Sequence, residues 1–402
     1  MIMKKFRLAV LTPHPIQYQA PFFKKLAAHP EIDLMVYFCW DFGVKGPSYD
    51  SGFNRKIKWD IPLLDGYHYK FLRNFSLHPG SGRWDYEINP GIIKEIWKEN
   101  YDAILIYGWN SLTSWMAFGA AFFKKMPVFI HGENPLNQES LKSRLKIKIK
   151  KIILGFLFKR ISAFLYIGEE NKGFFKYYGA SEDKFIFCPY AVDNERFIAR
   201  NREYTDKKQI YEFRKKLGID KEAVVVLFMG KLIEKKRPLD LLKAFELLNS
   251  KFHILNSSLV FVGDGILRPE LEKYVKDNNL QNVYFFGFKN QTELPEHYIL
   301  SDILVLPSGL GETWGLAVNE AMCFGLPIII SDIVGCGPDL VLNNINGFVF
   351  PLGDIKRLAQ CLGDLVENSQ KRKSFGAKSL EIIKNYTFEK DIEGILTALK
   401  RN

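Results

Sequence analysis

Residues 307–327 read PSGLGETWGLAVNEAMCFGLP and lie between two short apolar runs, Ile303–Leu306 and Pro327–Ile330. The order predicts strand, glycine-rich loop, helix and strand, which is the repeating unit of an α/β protein. In open parallel sheets a loop of this kind sits at the carboxyl end of the strands, where ligands bind. The helix that follows offers unpaired backbone N–H groups and a positive dipole end, both suited to phosphate. Glu312 falls in the loop and Glu320 on the helix. Apolar Leu316, Ala317, Met322 and Cys323 flank Glu320, so its carboxylate needs hydrogen-bond donors, and the adjacent hydroxyls of a ribose would supply them. The plainer reading makes Glu320 a solvated helix residue, as most glutamates are. Taken as a block, the stretch suits a nucleotide sugar.

Working outward, apolar strand-like runs alternate with helical patterns along the chain. In the first half they are Arg7–Leu11, Leu34–Phe38, Ala103–Tyr107, Val128–His131 and Phe164–Ile167. In the second they are Val224–Met229, Leu259–Val262, Val283–Phe286, Ile303–Leu306 and Ile328–Ser331. Such alternation predicts parallel sheets, and 402 residues exceed one comfortable core, so two domains are expected. The polar stretch from Asp193 to Asp220 is the expected seam. The five cysteines are scattered without a CxxC pair, which argues against a zinc site or a disulfide framework. The apolar run after the first lysines is too short for a signal-peptide core, and no window reaches the roughly 20 apolar residues that span a bilayer.

The second half carries an ordered set of motifs. VVVLFMGK ends a strand at Gly230, with Lys231 directly after it and Lys236 five residues on. Cations there could neutralise a leaving diphosphate, although lysines more often form a solvated turn. FVGDG places Gly263 and Gly265 in a second strand-to-helix turn, which a phosphate loop or a plain tight turn explains equally. FFGF offers Phe288 as a wall for a nucleobase or as core packing.

Together, GK-x4-K, FVGDG, FFGF and the E-x7-E block resemble the retaining glycosyltransferases of family 4 over about 150 residues. The resemblance implies the GT-B architecture, α/β, with two Rossmann-like domains whose parallel sheets face a central cleft. It implies an acceptor-side domain over 1–195, a nucleotide-sugar domain over 196–385, and a helix over 386–402 returning to the first domain. Lys231 stands where the family usually has arginine, which keeps the charge but loses the guanidinium fork. Lys231 and Lys236 would bind the donor diphosphate, Glu312 would face the donor sugar and Glu320 the ribose. Gly230, Gly263 and Phe288 would complete the donor pocket. Backbone amides of Thr313, Trp314, Gly315 and Leu316 would hold sugar and phosphate oxygens.

In the first half, LTPHPIQYQAPFF puts His14 and Gln17 in the loop after the first strand, with Pro13 and Pro15 where the family has glycines. YGWN ends a strand with Trp109 and Asn110, which could contact an acceptor or simply pack. The resemblance places His131, at the end of VFIH, near the reacting sugar. No Asp-x-Asp triplet occurs, so cationic side chains would do the neutralising and neither metal nor cofactor is expected.

The formal net charge is +11, and Lys142–Arg160 contributes eight basic residues with no acidic one. At helical period Leu141, Leu145, Ile149, Ile152 and Phe156 form one stripe; alternation at period two fits a strand over Arg144–Ile149 as well, and length favours the helix. Lys146, Lys148, Lys150 and Lys151 run beside that stripe, so the segment reads as a surface for anionic lipid or as a domain helix with a solvated basic face. No nucleic-acid-binding motif accompanies the charge. The expected function is therefore transfer of a sugar from a nucleotide sugar to a saccharide or polyprenyl-linked acceptor in surface polysaccharide synthesis. The enzyme is expected in the cytoplasm, peripheral on the inner face of the membrane. A nucleotide-sugar epimerase of related fold, or a non-enzymatic binder of acidic polymer, are the rival readings.

Overall fold

The computed structural model describes residues 5–80, 82–139, 142–203, 207–251 and 256–402. The chain divides into two compact units. One comprises Met1–Ser48, Ile61–Tyr190 and Phe388–Asn402, the other Tyr49–Asp60 and Ala191–Thr387.

Among the described residues the first unit holds a seven-stranded parallel sheet. Its strands are β1 (Phe6–Thr12), β2 (Ile32–Phe38), β5 (His68–Phe71), β6 (Ala103–Tyr107), β7 (Val128–His131), β8 (Ala163–Tyr166) and β9 (Phe185–Phe187). Their spatial order is β5-β2-β1-β6-β7-β8-β9. Between β2 and β5 the chain makes a separate two-stranded sheet from β3 (Ser48–Asp50) and β4 (Arg55–Ile57). Among the described residues the strands of the second unit are β10 (Val224–Met229), β11 (Ser257–Val262), β12 (Val283–Phe285), β13 (Ile303–Leu306), β14 (Ile328–Ser331) and β15 (Gly347–Phe350). They form a six-stranded parallel sheet in the order β12-β11-β10-β13-β14-β15.

Strands β10, β11, β13 and β14 are buried along their whole length, as expected when helices cover both faces of a parallel sheet. Each fully buried Val, Leu, Ile or Phe contributes roughly 1.5–3 kcal/mol of transfer free energy, so these runs anchor the unit. Phe228, Phe261, Ile303, Val305 and Ile329 share one core cluster with Leu241, Phe245 and Leu362 from the helices.

Both sheets reverse direction once. In the first the chain runs outward from β1 to β2 and β5, then restarts at β6 and proceeds the other way. In the second the same reversal falls between β10 and β13, which pair through Val226 with Ile303 and Leu227 with Leu304. At such a point adjacent loops diverge to opposite faces and leave a crevice beyond the carboxyl ends of the strands. The loops after β1 and β6, and those after β10 and β13, therefore flank the crevices.

Candidate active site

The loop after β10 begins at Gly230 and passes through a short 3₁₀ turn, Glu234–Lys236, into the helix Pro238–Lys251. Proline at the first helical position fits there because its missing N–H would have no partner. The loop after β13 carries Glu312 and enters the helix Leu316–Cys323 at Gly315, whose φ of 104° only glycine adopts without strain. The two loops are tied by a backbone hydrogen bond from the Gly309 amide to the Lys235 carbonyl at 2.7 Å. That tie brings Lys236 against Glu312, and the ammonium donates to Oε2. Burial pushes the Glu312 carboxyl up, but Lys236 and Lys235 outweigh it and hold its pKa below the ordinary value. The pair is charged, and both side chains are largely buried.

The helix Leu316–Cys323 has no side-chain cap at its N-terminus. First-turn amides of a helix lack intrahelical partners, so this end is disposed to receive an anion. Glu320 follows on the same helix. Burial raises its pKa, partly offset by the hydroxyl of Tyr298, which donates to Oε2 at 2.5 Å, and by the charges of Arg196 and Lys236. Arg196 itself donates to the Gln291 carbonyl and side-chain oxygens at 3.3 and 3.0 Å.

Lys231 turns to a partner that the sequence reading did not anticipate. Its ammonium donates to both oxygens of Asp50, at 2.9 and 3.0 Å. Gly263, at φ 137°, lies so close to Gly230 that a Cβ there would come 1.8 Å from the Gly230 carbonyl oxygen. The FVGDG turn thus needs its glycine for close approach of two loops. Phe288 packs edge-on against Phe53 at 5.0 Å between ring centres.

The Trp314 side chain is buried, and its indole N–H donates to Asn319 at 2.8 Å. Thr313 and Leu316 on either side are half-buried.

In the first unit, His14 and Gln17 follow β1, Trp109 and Asn110 follow β6, and His131 ends β7, so all five share the carboxyl end of that sheet. His14 sits edge-on to Trp40 and Phe42, and Gln17 is half-buried. Trp109 donates from its indole to Asn134 at 3.2 Å, and Asn110 is exposed. His131 is 3% exposed, lies against the Tyr107 ring at 4.7 Å, and its Nδ1 has no hydrogen-bond partner among the described residues. Burial pushes its pKa down to about 4, so the imidazole is neutral near pH 7. Close by, the Tyr190 hydroxyl donates to Glu133 at 2.6 Å.

The basic segment forms the helix Arg144–Phe158, and Leu141 lies outside the described residues. Its inward face is Leu154, Leu157 and Phe158. Leu145, Ile149, Ile152 and Phe156 face solvent instead, at 68, 50, 75 and 61% exposure. Lys146, Lys148 and Lys151 are exposed with them. Lys150 is turned inward onto Glu139, at 3.0 and 2.9 Å, among the rings of Trp109, Phe174 and Tyr178. Burial lowers its pKa to about 8 against the pull of Glu139.

Sequence reasoning missed Asp50, Tyr298 and Arg196. The first two act across gaps of 181 and 22 residues, and no local pattern signals either contact.

Residues 209–381 match the family model described as glycosyl transferases group 1. The UDP-Gal:alpha-D-GlcNAc-diphosphoundecaprenol alpha-1,3-galactosyltransferase of Escherichia coli is 30% identical over 274 residues, covering 67% of this chain and 68% of that protein. The poly(glycerol-phosphate) alpha-glucosyltransferase of Bacillus subtilis is 23% identical over 69% of this chain, which spans only 38% of that relative. The crystal structure of Anabaena HepE in complex with UDP and glucose superposes with a TM-score of 0.73 at 17% identity, over 99% of this chain and 100% of that one. The fold is GT-B, and the chain belongs to the group 1 glycosyltransferases.

Proposed function

We propose that this chain transfers a sugar from a nucleoside-diphosphate sugar to a hydroxyl of a lipid-linked saccharide, with retention of anomeric configuration and without a metal ion. The observation that carries the reading is the charged Lys236–Glu312 pair at the strand reversal, beside the uncapped helix that bears Glu320. Lys231 and Lys236 neutralise the diphosphate as the bond to the anomeric carbon breaks, and first-turn amides of the helix hold its oxygens. Glu320 accepts from the ribose hydroxyls, and Glu312, fixed by Lys236, orients the sugar. The acceptor oxygen bonds to the anomeric carbon on the face the diphosphate leaves, and its proton passes to a diphosphate oxygen. His131 offers a neutral imidazole at the carboxyl end of the first unit's sheet. Retention is supported by the likeness of the E-x7-E block to retaining enzymes. Metal independence is supported by the two lysines.

A lipid-linked acceptor for surface polysaccharide is supported by two things. The Escherichia coli relative is named for a diphosphoundecaprenol acceptor. The helix Arg144–Phe158 also presents apolar side chains and lysines to solvent on one face, which suits peripheral docking on an anionic cytoplasmic leaflet. No helix among the described residues is long and apolar enough to cross a membrane.

The test is a transfer assay with a panel of UDP- and GDP-sugars and polyprenyl-diphosphate saccharides, with and without EDTA. Acceptor-dependent product of retained configuration in EDTA is expected. Donor conversion without acceptor, or activity restored only by Mg²⁺ or Mn²⁺, would refute the reading.

A further inference from the structure

The segment Tyr49–Asp60 leaves the first half of the sequence and packs within the second unit. Its contacts fall one after another on residues of the proposed donor side. Asp50 binds the Lys231 ammonium through both carboxylate oxygens, and the Phe53 ring lies 4.9 Å from the same ammonium. Phe53 and Trp59 pack on Phe288 at 5.0 and 6.1 Å, with the Arg55 guanidinium 5.1 Å from that ring. Asp60 accepts from the Thr292 amide at 3.0 Å. The segment is thus anchored on the loops after β10 and β12.

Asp50 also holds the turn between β3 and β4 together. Its Oδ1 accepts from the amides of Gly52 and Phe53, at 2.8 and 3.1 Å. Gly52 lies directly on the Lys231 side chain, so close that a Cβ would sit 2.6 Å from Cδ. The lysine is seated in the turn, its charge met by a carboxylate that the turn keeps in place with or without the lysine.

We propose that Asp50 is an anionic placeholder that holds Lys231 until the donor diphosphate takes the ammonium from it, and that it thereby sets donor affinity. The inference rests on the reading of Lys231 as a diphosphate ligand. Both groups are partly exposed, Lys231 at 34% and Asp50 at 20% of the side chain, so water can assist the exchange. A carboxylate left beside the bound diphosphate repels it, and removing that charge should tighten binding while an amide keeps the turn.

The experiment is calorimetric titration of the full chain with UDP and with GDP, at low and high salt. Wild type is compared with Asp50→Asn, Lys231→Gln and the double variant. Asp50→Asn is expected to bind the diphosphate about tenfold more tightly, the scale of one partly screened charge contact, and less so at high salt. Lys231→Gln is expected to weaken binding and to erase the gain in the double variant. If Lys231→Gln weakens binding but Asp50→Asn leaves it unchanged or weaker, the placeholder role is wrong and the diphosphate role of Lys231 stands. If Lys231→Gln changes nothing, both fall. Asp50→Ser, which can still accept from the turn amides, serves as a second variant and should shift affinity in the same direction.

Discussion

Asp391 lies in the first turn of the helix Phe388–Arg401, 8% exposed. Burial pushes its carboxyl from the ordinary 3.8 up to about 8, with a small opposing contribution from the Cys188 thiol. Tyr107 and Cys188 are its titratable neighbours, and burial raises both of them as well. Its place near the helix N-terminus favours the charged form by no more than about 1 kcal/mol, less than burial withholds. The unfolded chain releases this proton above pH 4, whereas the folded protein keeps it until about pH 8. The associated stability is therefore complete below the unfolded pKa and drains away as pH rises toward the folded one. The slope is about 1.4 kcal/mol per pH unit, or about 3 kcal/mol between pH 5 and 7. Asp391→Asn keeps the shape and removes the proton linkage, so its advantage over wild type should grow across that window. Urea unfolding of both proteins at pH 5, 6 and 7 measures this directly. A difference that stays constant with pH would show that Asp391 is ionised in the folded protein and refute the argument.

Two further outcomes are expected. Glu320→Gln should weaken nucleotide-sugar binding by about 1.5–3 kcal/mol, the size of a hydrogen bond to a charged group, with the fold intact; unchanged affinity by calorimetry would remove Glu320 from the ribose. The helix Arg144–Phe158 should bind liposomes containing anionic lipid with about 1 kcal/mol per lysine near the surface, lost as salt rises. Changing Lys146, Lys148 and Lys151 to Gln, with Phe156→Ser, should abolish cosedimentation, and equal pelleting of wild type and variant would count against membrane docking.

Strands β6, β7, β10, β13 and β14 were legible to the residue, because each is a short apolar run ended by a glycine, a proline or a polar turn. Strands β5, β9 and β15 were not. HYKF in β5 is largely exposed, FIF in β9 has only three residues, and GFVF in β15 opens on a glycine between the turn-rich stretches NNIN and PLGD. The E-x7-E block was readable because its strand, loop and helix are consecutive in sequence. What each glutamate touches was not readable, since Lys236 meets Glu312 and Tyr298 meets Glu320 through packing across 76 and 22 residues. The lysine run of Arg144–Phe158 shows the same limit. Its periodicity predicts a helix with one apolar stripe, yet burial falls on Leu154, Leu157 and Phe158 while that stripe faces solvent. Nothing in the run separates Lys150 from its neighbours, because its distinction is supplied by Glu139 and three aromatic rings.

The interleaving of the two units in sequence bears on the order in which the chain can fold. The first unit includes the helix Phe388–Arg401, which is synthesised only after Thr387, at the end of the second unit. Gly394 of that helix lies so close to the strand end that a Cβ would meet the Cys188 sulfur at 2.3 Å, a fit that a loosely docked helix could not make. The second unit in turn waits for nothing later than itself but uses Tyr49–Asp60, made long before. During translation, then, the earlier-begun unit must wait for a later segment, and its apolar strand Phe185–Phe187 stays uncovered until Phe388–Arg401 has been made. A fragment beginning at Ala191 would lack Tyr49–Asp60, leaving the Phe288 ring without Phe53 and Trp59.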